Sequence, residues 1–143
     1  MVKVKKEVVK KEKKVVPKLR NGGTMTESGF WSFIRSALRN KSRFWIPIQE
    51  AKKLARRKSK SSNKRLKFEY QCSECKGWFP DKEVSVDHIV PASSLNCAND
   101  LPGFIERLFC EMDNLAVLCE KTCHAAKTKI DREQLKLNKK ENV

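Results

Sequence analysis

The sequence predicts an α+β chain, with helices in its first half and strands in a cysteine-bearing second half. Three observations carry that reading. Apolar residues recur at helical spacing from Phe30 to Leu38, apolar and polar residues alternate up to Val86, and two cysteine pairs, Cys72 with Cys75 and Cys119 with Cys123, bracket the alternating segment. At 143 residues and without an internal repeat, the chain has room for one compact domain and an arm.

Charge divides the chain between Lys67 and Phe68. Residues 1–67 carry 22 Lys and Arg against 4 Asp and Glu, a net +18, whereas residues 68–143 carry 10 against 13, a net −3. An arm of that sign seeks a polyanion, and nucleic acid is the leading partner because neutralising phosphates suits such a charge. The bland alternative is a solubilising, disordered arm. No stretch reaches the ~18 to 20 apolar residues of a membrane span. The N-terminus lacks the apolar segment of a secretory signal, so an intracellular, reducing location is expected, where CxxC pairs point to metal or redox chemistry rather than to disulfides.

In chain order, residues 1–23 read as a basic tail without fixed structure, ending in a turn at Asn21, Gly22 and Gly23. Residues 24–66 read as a basic helical arm and linker. Thr24 followed by Glu27 is a capping-box pattern, and Phe30, Phe33, Ile34, Ala37 and Leu38 form a stripe that faces the core. Trp31 and Trp45 are expected to be buried rather than free to stack on bases. Pro47 opens a second helix with Ile48, Ala51, Leu54 and Ala55 on its apolar side, and Lys52, Lys53, Arg56 and Arg57 as a phosphate-tracking face. Residues 58–66, rich in Lys and Ser, read as a flexible linker.

The domain proper spans residues 67–130. Phe68 to Gln71 is a short strand entering the first cysteine turn, with Gly77 supplying backbone freedom behind it. Val84 and Val86 belong to a strand ending near His88. Strict alternation would send Asp87 and His88 to opposite faces unless the strand bulges or ends there, and Pro91 helps to end it. A loop over residues 92–101 leads to a helix from Pro102 to Cys110 that offers Phe104, Ile105, Leu108 and Phe109 to the core. Leu115 to Leu118 is a second strand, a helix begins at Thr122, and residues 131–143 read as a C-terminal tail.

A C-x2-C pair and a C-x3-C pair separated by 43 residues suit tetrahedral zinc, each turn presenting two thiolates on one side. A closed four-cysteine site leaves no position for water, so Cys72, Cys75, Cys119 and Cys123 are assigned to folding rather than to reaction. A redox dithiol would sit in a βαβ context, which is absent. Cys97 and Cys110 are left over and read as buried or inert thiols. The chain has two histidines, His88 and His124, both in this half, and Asp87 stands beside the first. Carboxylate and imidazole together can hold a divalent ion while a second imidazole takes a proton from water.

Cys72-x2-Cys75, Asp87-His88-Ile89-x-Pro91, Asn114-Leu115-x-x-Leu118-Cys119 and Cys123-His124-x-x-Lys127-Thr128 together resemble the HNH endonucleases with a zinc-supported core. The resemblance covers about half the chain, residues 68–130, and the spacer and basic arm look most like small HNH proteins of tailed bacteriophages. It implies a ββα-metal (His-Me finger) nuclease core stapled by the four cysteines and preceded by the basic helical arm. It further implies that Asp87 and His124 hold a catalytic Mg²⁺ or Mn²⁺ and that His88 is the general base. Asn114 would pin the loop between the strands and so aim His88, and Lys127 would contact phosphate or cap the helix. Asn96 and Asn99 lack the following strand. The substrate implied is double-stranded DNA, cut to a 5′ phosphate and a 3′ hydroxyl, in a host cytoplasm and alongside phage replication or packaging proteins. One departure stands out: Cys119 and Cys123 are three residues apart where related sequences commonly have two, which is expected to rotate the start of the final helix. The alternative is a non-catalytic zinc-ribbon protein that binds nucleic acid as an accessory factor. Because the core carries little positive charge, a chain beginning near Phe68 is expected to fold with zinc yet hold DNA weakly.

Overall fold

The structure, a computed structural model, describes residues 13–141, so residues 1–12 of the basic tail and the last two of the C-terminal tail lie outside the described residues. Lys18–Arg20 (β1) pairs antiparallel with Met25–Thr26 (β2), so part of the expected tail is a hairpin strand. Asn21, Gly22 and Gly23 make the turn with φ of 51°, 63° and 79°, left-handed values that glycine tolerates and asparagine accepts most readily of the rest. Thr24 is part of that turn, its hydroxyl donating to Asn21 O at 2.8 Å. The helix cap is therefore Thr26 rather than Thr24: Thr26 Oγ1 accepts from Gly29 N at 3.1 Å and opens α1, Glu27–Ser42.

Helix α1 is rotated relative to the stripe expected from sequence. Trp31 is buried, Phe30, Ile34 and Leu38 pack against the same core, and Phe33 faces solvent at 61% exposure. The reason lies in Glu27, which takes the Trp31 indole N–H at 3.0 Å and the Arg20 guanidinium at 2.7 and 2.9 Å. That cluster satisfies the polar tip of Trp31 and lets its ring go inward.

Helix α2, Ile46–Leu54, begins with Pro47 in its first turn and ends before Arg56. Arg56–Lys58 is a strand (β3) in a three-stranded antiparallel sheet with Phe68–Gln71 (β4) and Trp78–Phe79 (β5), in the order β3-β4-β5. Two expectations are corrected by this sheet. The four cations from Lys52 to Arg57 do not share one helix face, and the segment expected to be a flexible linker, residues 58–66, ends β3 at Lys58 and then forms most of the connection of a β3–β4 hairpin. The boundary drawn at residue 67 thus cuts through paired strands.

Val84–His88 (β6) and Leu115–Cys119 (β7) form an antiparallel pair in unbroken register, from Val84 opposite Cys119 to His88 opposite Leu115. No bulge occurs; instead the strand ends at His88, the second of the two ways in which the Asp87 and His88 side chains escape strict alternation. Between the strands, Leu101–Leu108 (α3) buries Phe104 and Leu108, which join Trp31, Ala92 and Leu95 in the larger core. A second, smaller core gathers Cys72, Leu118 and Cys119 with Phe79, Ala116 and Cys123. Trp45 fastens the α1–α2 corner to the end of α3, its indole N–H donating to Cys110 O at 2.8 Å and its ring meeting Phe109 edge-on. Ala125–Glu141 (α4) runs through most of the segment expected to be a tail, aided by the i,i+4 pairs Lys127 with Asp131 and Gln134 with Asn138. Among the described residues, no helix is long and apolar enough to cross a membrane.

Candidate metal centre and histidine site

The first cysteine turn is a tight knuckle closed by Cys72 N–H to Gly77 O at 2.9 Å and Lys76 N–H to Cys72 O at 3.1 Å. The left-handed residue is Lys76 at φ 60°, not Gly77. Gly77 is needed for space: a Cβ there would come within 2.8 Å of the Phe79 ring. Ser73 N–H donates to Val117 O at 2.8 Å and docks the knuckle onto β7, whose end carries Cys119.

The four cysteines converge, their sulfurs lying within 4.8 Å of one another, with Cys75 and Cys119 3.9 Å apart. A zinc tetrahedron with bonds of about 2.3 Å has edges of about 3.8 Å, so the cluster matches a metal site and can hold a structural ion such as zinc. All four are free thiols. Burial pushes the Cys72 thiol up, but the backbone amides of Cys75, Cys119 and Glu74 outweigh it and bring the pKa to about 6. Hydrogen bonding to Cys119, with burial, holds Cys123 up at about 12. Ionising one sulfur thus discourages its neighbours, a crowding that a divalent cation relieves. Of the remaining thiols, read as buried or inert, Cys97 is exposed and Cys110 is half-buried.

The three residues between Cys119 and Cys123 lie in one π-helical turn, Glu120–His124, with Cys123 N–H donating to Cys119 Sγ at 3.5 Å. It delivers His124 to the start of α4, where its Nδ1 lies 3.6 Å from Glu120 Oε2.

His88, the last residue of β6, sends its ring toward the end of α3, with Nε2 2.9 Å from Leu108 O. A carbonyl oxygen only accepts, so Nε2 carries a proton, and in the neutral ring Nδ1 is the nitrogen with the lone pair. Asn114 holds the chain just past His88: its Oδ1 accepts from Val90 N at 2.8 Å, its Nδ2 donates to Val90 O at 3.1 Å, and its carbonyl accepts from Ile89 N at 2.9 Å. Asp87 accepts from His88 N–H through Oδ1 and places Oδ2 3.4 Å from Lys127 Nζ. Lys127 also donates to Asp131 at 2.5 Å. Burial draws the Lys127 pKa down, but the Asp131 hydrogen bond and the Asp87 charge outweigh it and leave it raised.

The cations expected to contact DNA are split. Lys52 pairs with Asp81 at 2.7 Å over the Tyr70 ring, and Arg57 pairs with Glu69 at 3.1 Å while lying 3.7 Å from the Trp78 centroid. Lys53 and Arg56 remain exposed, Arg56 over Phe68. The structure thus brings the four cysteines together and Asn114 onto the His88 loop, while Asp87 contacts Lys127 and His124 contacts Glu120. Sequence reasoning missed the Leu108 carbonyl, because a backbone acceptor leaves no side-chain signal. The Asp131 partner of Lys127 was legible as an i,i+4 pair. Comparison of the chain with protein-family models, with curated proteins and with solved structures found no match to any of them.

Proposed function

We propose that this protein is a divalent-metal-dependent endonuclease of the HNH kind that hydrolyses DNA phosphodiester bonds. The observation that carries the reading is the His88 ring, held through Nε2 by the Leu108 carbonyl so that Nδ1 offers its lone pair. The Asn114 clamp on Val90 supports it, as does the run of two antiparallel strands and a helix over β6, β7 and α4.

His88 Nδ1 takes a proton from water as the water oxygen bonds to phosphorus. The P–O3′ bond breaks, and the 3′ oxygen acquires a proton from solvent, leaving a 3′ hydroxyl and a 5′ phosphate. Asp87 and His124 would hold Mg²⁺ or Mn²⁺, which supplies charge neutralisation at the phosphate and at the departing oxygen. The chemistry of the donor pair suits such an ion: the Asp87 carboxylate attracts a cation, the Lys127 ammonium, and one carboxylate with one imidazole leaves coordination positions for water and phosphate oxygens. The arrangement asks Lys127 to yield Asp87 and to turn toward the substrate phosphate.

The test is cleavage of supercoiled plasmid with Mg²⁺ or Mn²⁺ by the parent protein and by His88→Ala, matched for zinc content and folding. Metal-dependent nicking or linearisation is expected from the parent, with a loss of at least about 100-fold in the variant. Salt-sensitive DNA binding by both without cleavage by either would favour the accessory-protein reading instead.

A further inference from the structure

The segment from Lys58 to Lys67 carries five cations, Lys58, Lys60, Lys64, Arg65 and Lys67, and no acidic residue. All five are exposed. Sequence alone reads such a run as a solvated linker, but here the backbone is built into a shape. Ser59 N–H donates to Lys67 O at 3.0 Å and closes the base of the loop. Ser59 Oγ accepts from Ser61 N, Ser61 Oγ from Asn63 N and Asn63 Oδ1 from Arg65 N, at 3.1, 3.2 and 3.1 Å. Each small polar side chain caps the amide two residues on, and Leu66 N–H returns to Asn63 O at 3.0 Å. The Ser and Asn side chains fold the loop, and the long cations are left to solvent.

At the base of the hairpin a carboxylate that would oppose this charge is already paired. Glu69 takes the Arg57 guanidinium at 3.1 and 3.2 Å and the Ser59 hydroxyl at 3.2 Å. Burial pushes its pKa up, yet the Arg57 hydrogen bonds and the Lys60 amide outweigh burial and keep it lowered, so it stays ionised and paired. Arg57 is held in turn against Trp78, which fixes the strand from which the loop projects.

We infer that the β3–β4 hairpin is the duplex-DNA grip of this protein, its five cations from Lys58 to Lys67 contacting phosphates and its ribbon entering the major groove. A two-stranded ribbon fits the major groove of B-form DNA, about 12 Å wide, whereas the deep, narrow groove of duplex RNA excludes it. The loop holds no aromatic residue on which unpaired bases would stack, so single strands are disfavoured. The inference rests on DNA being the substrate but concerns a surface made of other residues than His88, Asn114, Asp87 and His124.

The test is binding of a labelled 24-base-pair duplex by the full chain in a His88→Ala background, without added divalent ion, over a series of salt concentrations. The comparison is with the same chain carrying Lys58, Lys60, Lys64, Arg65 and Lys67 all changed to Gln, which keeps the Ser and Asn ladder; equal zinc content and circular dichroism establish equal folding. A second variant, Lys64→Gln with Arg65→Gln at the loop tip, serves if the fivefold change does not fold. The expected result is a salt slope shallower by about 4.5 for the fivefold variant, or about 1.8 for the double one, at about 0.9 per lost phosphate contact. Affinity should fall by at least tenfold, with the parent preferring duplex DNA to duplex RNA and single-stranded DNA. An unchanged slope, or equal binding of the three nucleic acids by the parent, overturns the proposal. Because cleavage is not scored, a protein inactive on plasmid can still support the grip, and an active nuclease whose variants bind unchanged would refute it alone.

Discussion

Asn114 turns both ends of its side-chain amide on Val90, and that exchange fixes the chain two residues past His88. An alanine there leaves Val90 N–H and C=O to water and frees the His88 end of β6. We expect Asn114→Ala to lower stability by about 1–2 kcal/mol, the sum of two hydrogen bonds at a partly exposed position. On the proposed nuclease reading, its effect on DNA cleavage should be larger than that stability loss implies, since a misaimed base costs rate even in folded protein. Plasmid cleavage at a temperature where both proteins are fully folded, set against denaturant melts, separates the two effects. Equal loss in both measurements would make Asn114 structural only. The asparagine was legible in sequence because it stands directly before an apolar strand; the Leu108 carbonyl that orients His88 was not, being backbone.

The short N-terminal hairpin is joined to α1 largely through Glu27, which binds Arg20 on β1 and Trp31 one turn on. Hydrogen bonds from Arg20 first, and then Trp31, hold the Glu27 pKa near 2. A carboxylate depressed in the folded state stabilises it fully above the unfolded pKa, about 4.5, and loses that contribution as pH falls toward 2. Glu27→Gln should therefore melt below the parent at pH 6 to 7, and the gap between the two melting temperatures should narrow below pH 4.5. A gap that stays constant with pH would mean that the charge of Glu27 is immaterial. This cluster also explains why the α1 stripe was misread. Spacing alone could not choose between Phe33 and Trp31 for the core; the polar partner waiting for the indole N–H decided it. Strand β3 was hidden for a related reason. Arg56, Arg57 and Lys58 lack strand propensity, and their pairing depends on long-range contacts with Tyr70, Glu69 and Phe68 and on the rings that cover the cations.

Across the whole chain, the charge boundary between Lys67 and Phe68 is not a folding boundary. Trp31 from the basic half packs with Ala92, Leu95, Phe104 and Leu108 from the other, and β3 hydrogen-bonds to β4 across the division. A chain beginning at Phe68 would keep all four cysteines but lose α1, α2 and β3. Loss of the Trp31 side chain alone is expected to cost about 3–5 kcal/mol, a large share of the roughly 5–15 kcal/mol that stabilises a domain. The expectation drawn from charge, a truncated chain that folds with zinc and merely binds DNA poorly, therefore gives way to a different one. The shortened chain should bind zinc through its cysteines yet show no sharp thermal transition. In the intact protein, a chelator strong enough to strip zinc should leave the Trp31 core partly formed while the Cys72 to Cys123 end loosens, because the two cores share few buried side chains. Zinc stoichiometry, near-ultraviolet circular dichroism and amide exchange on the two chains check both statements. A cooperative melt from the chain beginning at Phe68 would show instead that the metal end carries enough structure to fold alone, and that the basic half is joined to it rather than built into it.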